Sequence, residues 1–172
     1  MRNNKQKGFS LIELLIVVAI ILIIAAIAIP NLLRSKMAAN EASAVASLRT
    51  LNTTEILYST QCNGISTNLT QLGPAVVAGT PVCATGDDLV DAVMAGQGTA
   101  TCVPANDATH FCKSGYNFTY APGAGTPPTT YTITGLPATQ GGSGIRSFFT
   151  DQTGVIHANA TGAAPTAADL PL

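Results

Sequence analysis

The sequence predicts an α+β protein: one long amino-terminal helix, kinked partway, packed on a carboxyl-terminal antiparallel sheet of about four strands. Three observations predict it. Phe9–Ile29 is an apolar run of 21 residues interrupted by one charge, Glu13. Helix-compatible, Ala-rich sequence continues to about residue 60. From Gly115 the pattern changes to period two, the repeat of a strand with one face buried.

The first element is a basic leader, residues 1–8, carrying Arg2, Lys5 and Lys7 and ending at Gly8. The apolar run follows. At 1.5 Å per residue it spans roughly 30 Å, the thickness of a bilayer's hydrocarbon core. It is too long for a secretory signal core, and Ile29-Pro30-Asn31 replaces the small-residue cleavage site that should follow one. The leader favours a cytoplasmic amino terminus with the rest of the chain outside. Arg34 and Lys36 beyond the run make that bias modest. A plain single-pass anchor does not account for Glu13, because a carboxylate inside a membrane-length helix is expensive. Its place near the helix start, where the dipole is positive, tempers the cost. Pro30 has no N–H to give, so a kink is expected there.

Residues 31–60 read as the outer half of the same helix. Val45, Leu48, Leu51 and Tyr58 fall on one stripe, with Glu41, Arg49 and Glu55 expected off it. The stripe would pack on a globular head, residues 61–172. The spacing is not a sustained heptad, which argues against a free coiled coil. Gln61–Pro81 is a loop rich in Asn, Gly and Thr. A short helix is expected near 87–95, with acids at its amino end and Gly96 to stop it. Those acids, Asp87, Asp88 and Asp91, are better explained as helix caps than as calcium ligands. Within 115–157, Tyr116/Phe118/Tyr120, Tyr131/Ile133, Arg146–Thr150 and Gly154–His157 read as four short strands in a meander. Their aromatics are core residues. The tail, 158–172, reads as loosely ordered.

Composition limits the function. Without residues 1–8 the chain keeps five basic and nine acidic residues, and beyond residue 60 only Lys113 and Arg146 are basic. Direct nucleic-acid binding, which needs clustered cations, is not expected. Charge is scarce and Thr, Ala and Gly are plentiful, which suits an exported subunit packed among copies of itself. Cys62, Cys83, Cys102 and Cys112 all lie on the exported side. An even number there predicts two disulfides with three possible pairings. Cys62–Cys83 with Cys102–Cys112 is favoured because local loops close most easily. A zinc site is the sharper alternative, but no C-x2-C pair is present and His110 is the only nearby histidine. No cofactor or metal is expected, and no catalytic constellation is visible. Ser143 sits in a glycine-rich turn that is not G-x-S-x-G, and Gly141, Gly142 and Gly144 lack the strand–loop–helix setting of a phosphate cradle. The chain is not expected to be an enzyme. Asn52, Asn68, Asn117 and Asn159 each open an N-x-S/T triplet, a motif common by chance.

The segment KGFSLIELLIVVAIILIIAAIAIP, starting at Lys7, closely resembles the amino terminus of type IV pilin precursors and related pseudopilins. The likeness is specific over residues 1–36 and fades toward residue 60. It implies a pilin fold and cleavage between Gly8 and Phe9 by a prepilin peptidase. It implies methylation of the new Phe9 amine and neutralisation, by Glu13, of a neighbour's amino terminus on assembly. Many pilins carry a glycine between that glutamate and the proline. Ile20-Ile21-Leu22-Ile23 has none, so less melting of this stretch on assembly is expected. The stretches 115–120, 131–134 and 148–156 are similar to the sheet of pilin and pseudopilin heads.

The implied function is a structural subunit of a type IV pilus, serving attachment, motility or DNA uptake. The implied partners are further copies of the subunit, the prepilin peptidase, an inner-membrane assembly platform and the membrane itself. The precursor would lie in a bacterial inner membrane and the product in a surface pilus. The alternative is a type II secretion pseudopilin that drives exoprotein export. Its family carries a calcium site near the carboxyl end, where only Asp151 and Asp169 supply carboxylates here. No cysteine follows Cys112, so the carboxyl-terminal disulfide loop of many pilins is absent or held otherwise. An electron-transport filament is a weaker third reading: the helix offers only Phe9 and Tyr58 as aromatics, and C-x-x-C-H is missing.

Overall fold

The computed structural model describes residues 9–74, 83, 88–97 and 105–172. Among these residues one helix, α1 (Leu11–Cys62), is followed by one 3-10 turn (Leu69–Gln71). Six strands come next: β1 (His110–Lys113), β2 (Tyr116–Pro122), β3 (Tyr131–Pro137), β4 (Ser147–Asp151), β5 (Ile156–Asn159) and β6 (Leu170–Pro171). They form one antiparallel sheet in the order β1-β2-β3-β4-β5-β6, a plain meander. The α+β architecture is therefore as expected, with six strands rather than four. The chain divides into two compact units, Met1–Lys36 and Met37–Leu172.

The first unit holds the apolar part of α1. The helix continues through Pro30, and the Asn31 side-chain amide donates to the Ile27 carbonyl at 3.1 Å.

In the second unit the sheet lays one face on the outer part of α1. Period two puts Phe111, Tyr116, Phe118, Tyr120, Tyr131, Ile133, Phe148 and Ile156 on that face, all buried. They meet Ala44, Leu48, Leu51 and Tyr58 of the helix, and Val45 packs half-buried against the same core. Each such large apolar side chain contributes about 1.5–3 kcal/mol by leaving water. Across the strands Phe111 pairs with Phe118, Phe118 with Gly135 and Gly135 with Phe148. The Phe111 and Phe118 rings stack with centroids 4.5 Å apart. Gly135 makes room for them: a Cβ there would sit 3.0 Å from the Phe118 ring.

The two additional strands have local causes. Ser114 and Gly115 both take positive φ, 51° and 74°, as a two-residue hairpin turn demands, and so β1 pairs with β2. β6 pairs with β5 through His157–Pro171 and Ala158–Leu170. The expectation of a loose tail over 158–172 is thereby corrected. The Asp169 carboxylate accepts from Thr166 N and Asn159 Nδ2, and Ser147 Oγ donates to the Ala163 carbonyl.

The short helix expected near 87–95 is also corrected, over the described residues 88–97. Asp88 takes a positive φ of 56°, which a right-handed helix excludes, and Asp88, Leu89 and Val90 give their N–H groups to the carbonyls of Gly73 and Leu72. What remains is a turn at 92–96, capped by Asp91 Oδ1 on Met94 N at 2.9 Å and ended by Gly96 at φ 70°. Asp87 lies outside the described residues.

Candidate functional site

The first candidate is the exposed apolar helix. No residue from Phe9 to Lys36 is buried, and Phe9, Leu11 and Leu32 are 76%, 80% and 69% exposed. Such a surface is far beyond what a soluble monomer leaves in water. The helix is long and apolar enough to cross a membrane. Glu13 is the one charge on it between Phe9 and Ile29. Its Oε2 accepts from Ser10 N at 2.9 Å, and Leu14 N bonds the Ser10 carbonyl at 3.3 Å. Ser10 is thus the residue that caps the helix, and Glu13 reaches back to it in the manner of a capping box. The S-x-x-E spacing of Ser10-Leu11-Ile12-Glu13 carried that signal. Phe9 immediately precedes the cap. Gly8 lies outside the described residues.

The second group is polar and lies where the second unit's helix meets its sheet. Glu41 and Glu55, both expected off the apolar stripe, are on it. Glu41 Oε1 accepts from Ile145 N (2.9 Å) and Arg146 N (3.2 Å), and Oε2 from Arg146 Nε (2.8 Å). Burial opposes the charge on Glu41, but the two backbone donors and the guanidinium outweigh it and hold the carboxyl below its ordinary range. Beside it, Asn40 Nδ2 donates to the Ser143 carbonyl at 2.8 Å. The loop joining β3 to β4 is therefore latched to the helix.

Glu55 is wholly buried. Ser66 N donates to its Oε2 at 3.1 Å, and Ser66 Oγ donates to its Oε1. The Tyr120 hydroxyl donates to the Ser66 carbonyl at 2.7 Å. Burial pushes the Glu55 carboxyl up, and the Ser66 and Tyr120 hydrogen bonds only partly offset it. No ion pair reaches it among the described residues. Between these two carboxylates, Asn52 donates to Thr150 Oγ1 (2.8 Å) and to the Gly154 carbonyl (3.2 Å), and accepts from the Tyr131 hydroxyl (3.1 Å). Asn52 is buried and so is no glycan acceptor in the folded chain.

Cys62 and Cys83 form a disulfide. Cys112 is also disulfide-bonded, and Cys102 lies outside the described residues. The Tyr58 hydroxyl donates to the Cys83 carbonyl at 3.1 Å, so the loop that leaves the helix is bound back onto it twice. The histidines stand apart. His110 bonds Asp107, whose exposed carboxyl is held down at about 2 by the Thr109 backbone and side chain and by His110. His157 Nδ1 donates to the Asp169 carbonyl at 2.8 Å. Among the described residues no three of His, Cys, Asp and Glu gather as a metal set would.

Residues 3–29 match the family model of the prokaryotic N-terminal methylation motif. The chain is 42% identical over 81 residues to the type IV wide pilus major component PilA4 of Thermus thermophilus, covering 47% of this chain and 60% of that one. It is 47% identical over 53 residues to the type IV major pilin protein PilA of Myxococcus xanthus, covering 31% of this chain and 24% of that one. The aligned segments thus span less than two thirds of either relative. No solved structure matches the chain.

Proposed function

We infer that this chain, which its methylation motif and its relatives support as a type IV pilin precursor, is the structural subunit of a pilus filament. The observation that carries the reading is the bare apolar helix from Leu11 to Ile29, whose one carboxylate caps its own first turn. A membrane and a bundle of like helices are the two surroundings that remove such a surface from water. The reading has the chain use both in turn. Residues 1–8 orient it and are cut off between Gly8 and Phe9 by a prepilin peptidase, and the freed Phe9 amine is methylated. Residues 9–30 hold the subunit in the inner membrane until the assembly platform passes it into the filament. There the same residues form the core and the heads lie outside.

Glu13 supplies register in this scheme. Its Oε2 accepts from Ser10 N, and Oε1 accepts no hydrogen bond among the described residues. A neighbour's amino terminus brought to that oxygen would offset a carboxylate that is otherwise costly to bury. Apolar burial between helices, about 25 cal/mol per Å², supplies most of the cohesion. Replacing Glu13 by Ala tests the reading. The variant should reach the inner membrane in normal amount and yield few filaments. Normal filaments in normal amount would contradict the role.

A further inference from the structure

The end of α1 carries a chemistry that assembly does not use. The helix stops at Cys62, and the next residue, Asn63, takes a φ of 55°. That left-handed position ends many helices, and glycine and asparagine are the residues that fill it. Gly64 follows because nothing larger fits: a Cβ there would lie 2.4 Å from the Pro127 Cβ. Each half of the pair thus has its own structural cause. Together they make Asn-Gly, a dipeptide that occurs once in the chain.

The pair can react within itself. An asparagine amide lies within reach of the main-chain nitrogen of the following residue, and glycine has no side chain to hinder their approach. The Gly64 nitrogen gives its proton to hydroxide and attacks Asn63 Cγ. The N–Cγ bond forms, the Cγ–Nδ2 bond breaks, and ammonia leaves with a proton from water. Water then opens the cyclic imide at either carbonyl, leaving aspartate or isoaspartate. Nothing is oxidised, and water and hydroxide are the only co-reactants.

The surroundings supply what this needs. Asn63 is exposed, and its side chain enters no hydrogen bond among the described residues. Gly64 lines an open cleft of about 320 Å³ with Tyr58, Cys62, Cys83 and Pro127, so water reaches the peptide from that side. The surroundings also restrain the step. Cys62 is tied by its disulfide, Gly64 rests on Pro127, and Ile65 N donates to the Pro128 carbonyl at 2.9 Å. Closing the imide must turn the Gly64 nitrogen toward the side chain against these holds.

We propose that Asn63 is a site of spontaneous deamidation, and that the carboxylate it gains weakens the end of α1. The last turn of α1 holds no basic residue. A negative charge there meets the negative end of the helix dipole, with no cation in that turn to offset it. The isoaspartate product also adds a carbon to the main chain between Cys62 and Gly64, which draws Gly64 off Pro127. The modification therefore marks how long the folded head has stood in water, with no enzyme involved.

The test holds the full-length chain, folded in detergent, in heavy-oxygen water at mildly alkaline pH and maps its peptides by mass. Asn63 should convert, gaining a labelled oxygen, about tenfold faster than Asn68, Asn117 and Asn159, whose following residues are Leu, Phe and Ala. Asn63→Gln, whose side chain is a methylene longer, should remain an amide. Unfolding the head in urea should speed conversion of Asn63 about tenfold, because the holds on Gly64 are then released. Asn63→Asp should lower the folding equilibrium constant of the head about two- to fivefold. Label at Asn63 no higher than at the other three asparagines would overturn the site. Equal rates in folded and unfolded heads would overturn the restraint, and an Asn63→Asp head as stable as the native one would overturn the effect on α1.

Discussion

Two buried glutamates contribute to the response of this head to pH, and they act in opposite senses. The Glu41 carboxyl is held below its ordinary range, so its contribution is present above the unfolded value near 4.5 and is lost as pH falls through the folded value. Glu55 is held above that range, so its contribution is full below about 4.5 and is lost as pH rises through the folded value. Glu41→Gln should therefore lessen the acid-side slope of a plot of melting temperature against pH, leaving the part that Asp91 and Asp107 supply. It should also cost about 2 kcal/mol, because the ion pair is lost and one acceptor oxygen becomes an amide donor. Glu55→Gln should flatten the opposite side, above pH 4.5, with little loss at acid pH, where the native group is already neutral. Thermal melts of the two variants from pH 3 to 8 check both expectations. Identical pH profiles for both variants would refute the assignment. Neither glutamate was legible as a core residue from its chemistry. The spacing did carry the signal: Glu41, Ala44, Leu48, Leu51, Glu55 and Tyr58 recur every three or four positions. A carboxylate on an apolar stripe reads as an exception until its donors are known, and here the donors come from residues 66, 145 and 146.

At the scale of elements, α1 and the meander were legible because each repeats its own period over many residues. Tyr116, Phe118 and Tyr120 alternate with polar residues and lie buried in β2. The parts that were not legible are fixed by few residues. β1 rests on Phe111 and the Ser114-Gly115 turn, and β6 on two residue pairs. The helix expected near 87–95 gives way at Asp88, whose φ is 56°, where the chain is tied to the carbonyls of Leu72 and Gly73, a contact that no local pattern encodes. Those carbonyls sit in the segment closed by Cys62–Cys83, a sequence separation of 21. Replacing both cysteines by Ala should cost about 3 kcal/mol by the loop-entropy account. An equilibrium unfolding titration of the double variant measures it, and an unchanged midpoint would mean that the loop is held by other contacts. In the apolar half, the chain has no glycine between Glu13 and Pro30, and α1 is continuous through both. A density map of the filament should therefore show helix up to the Pro30 region. A long non-helical gap across Ile20–Ile29 would contradict this.

The whole molecule carries one bare apolar helix and a head with a polar seam between helix and sheet. The methylation motif matched at residues 3–29 bears on the helix and not on the head. The amino-terminal site was legible in sequence because a lone carboxylate in a membrane-length run needs a partner. The seam at Glu41 was not, because its donors come from Ile145 and Arg146, more than a hundred residues away. The central claim is that this chain is processed at Gly8–Phe9 and polymerised. Mass spectrometry of filaments sheared from the native cells tests it most directly. The account predicts abundant chain that begins at an N-methylated Phe9. A chain that still carries residues 1–8 in those filaments, or that is processed but confined to the envelope, would contradict it.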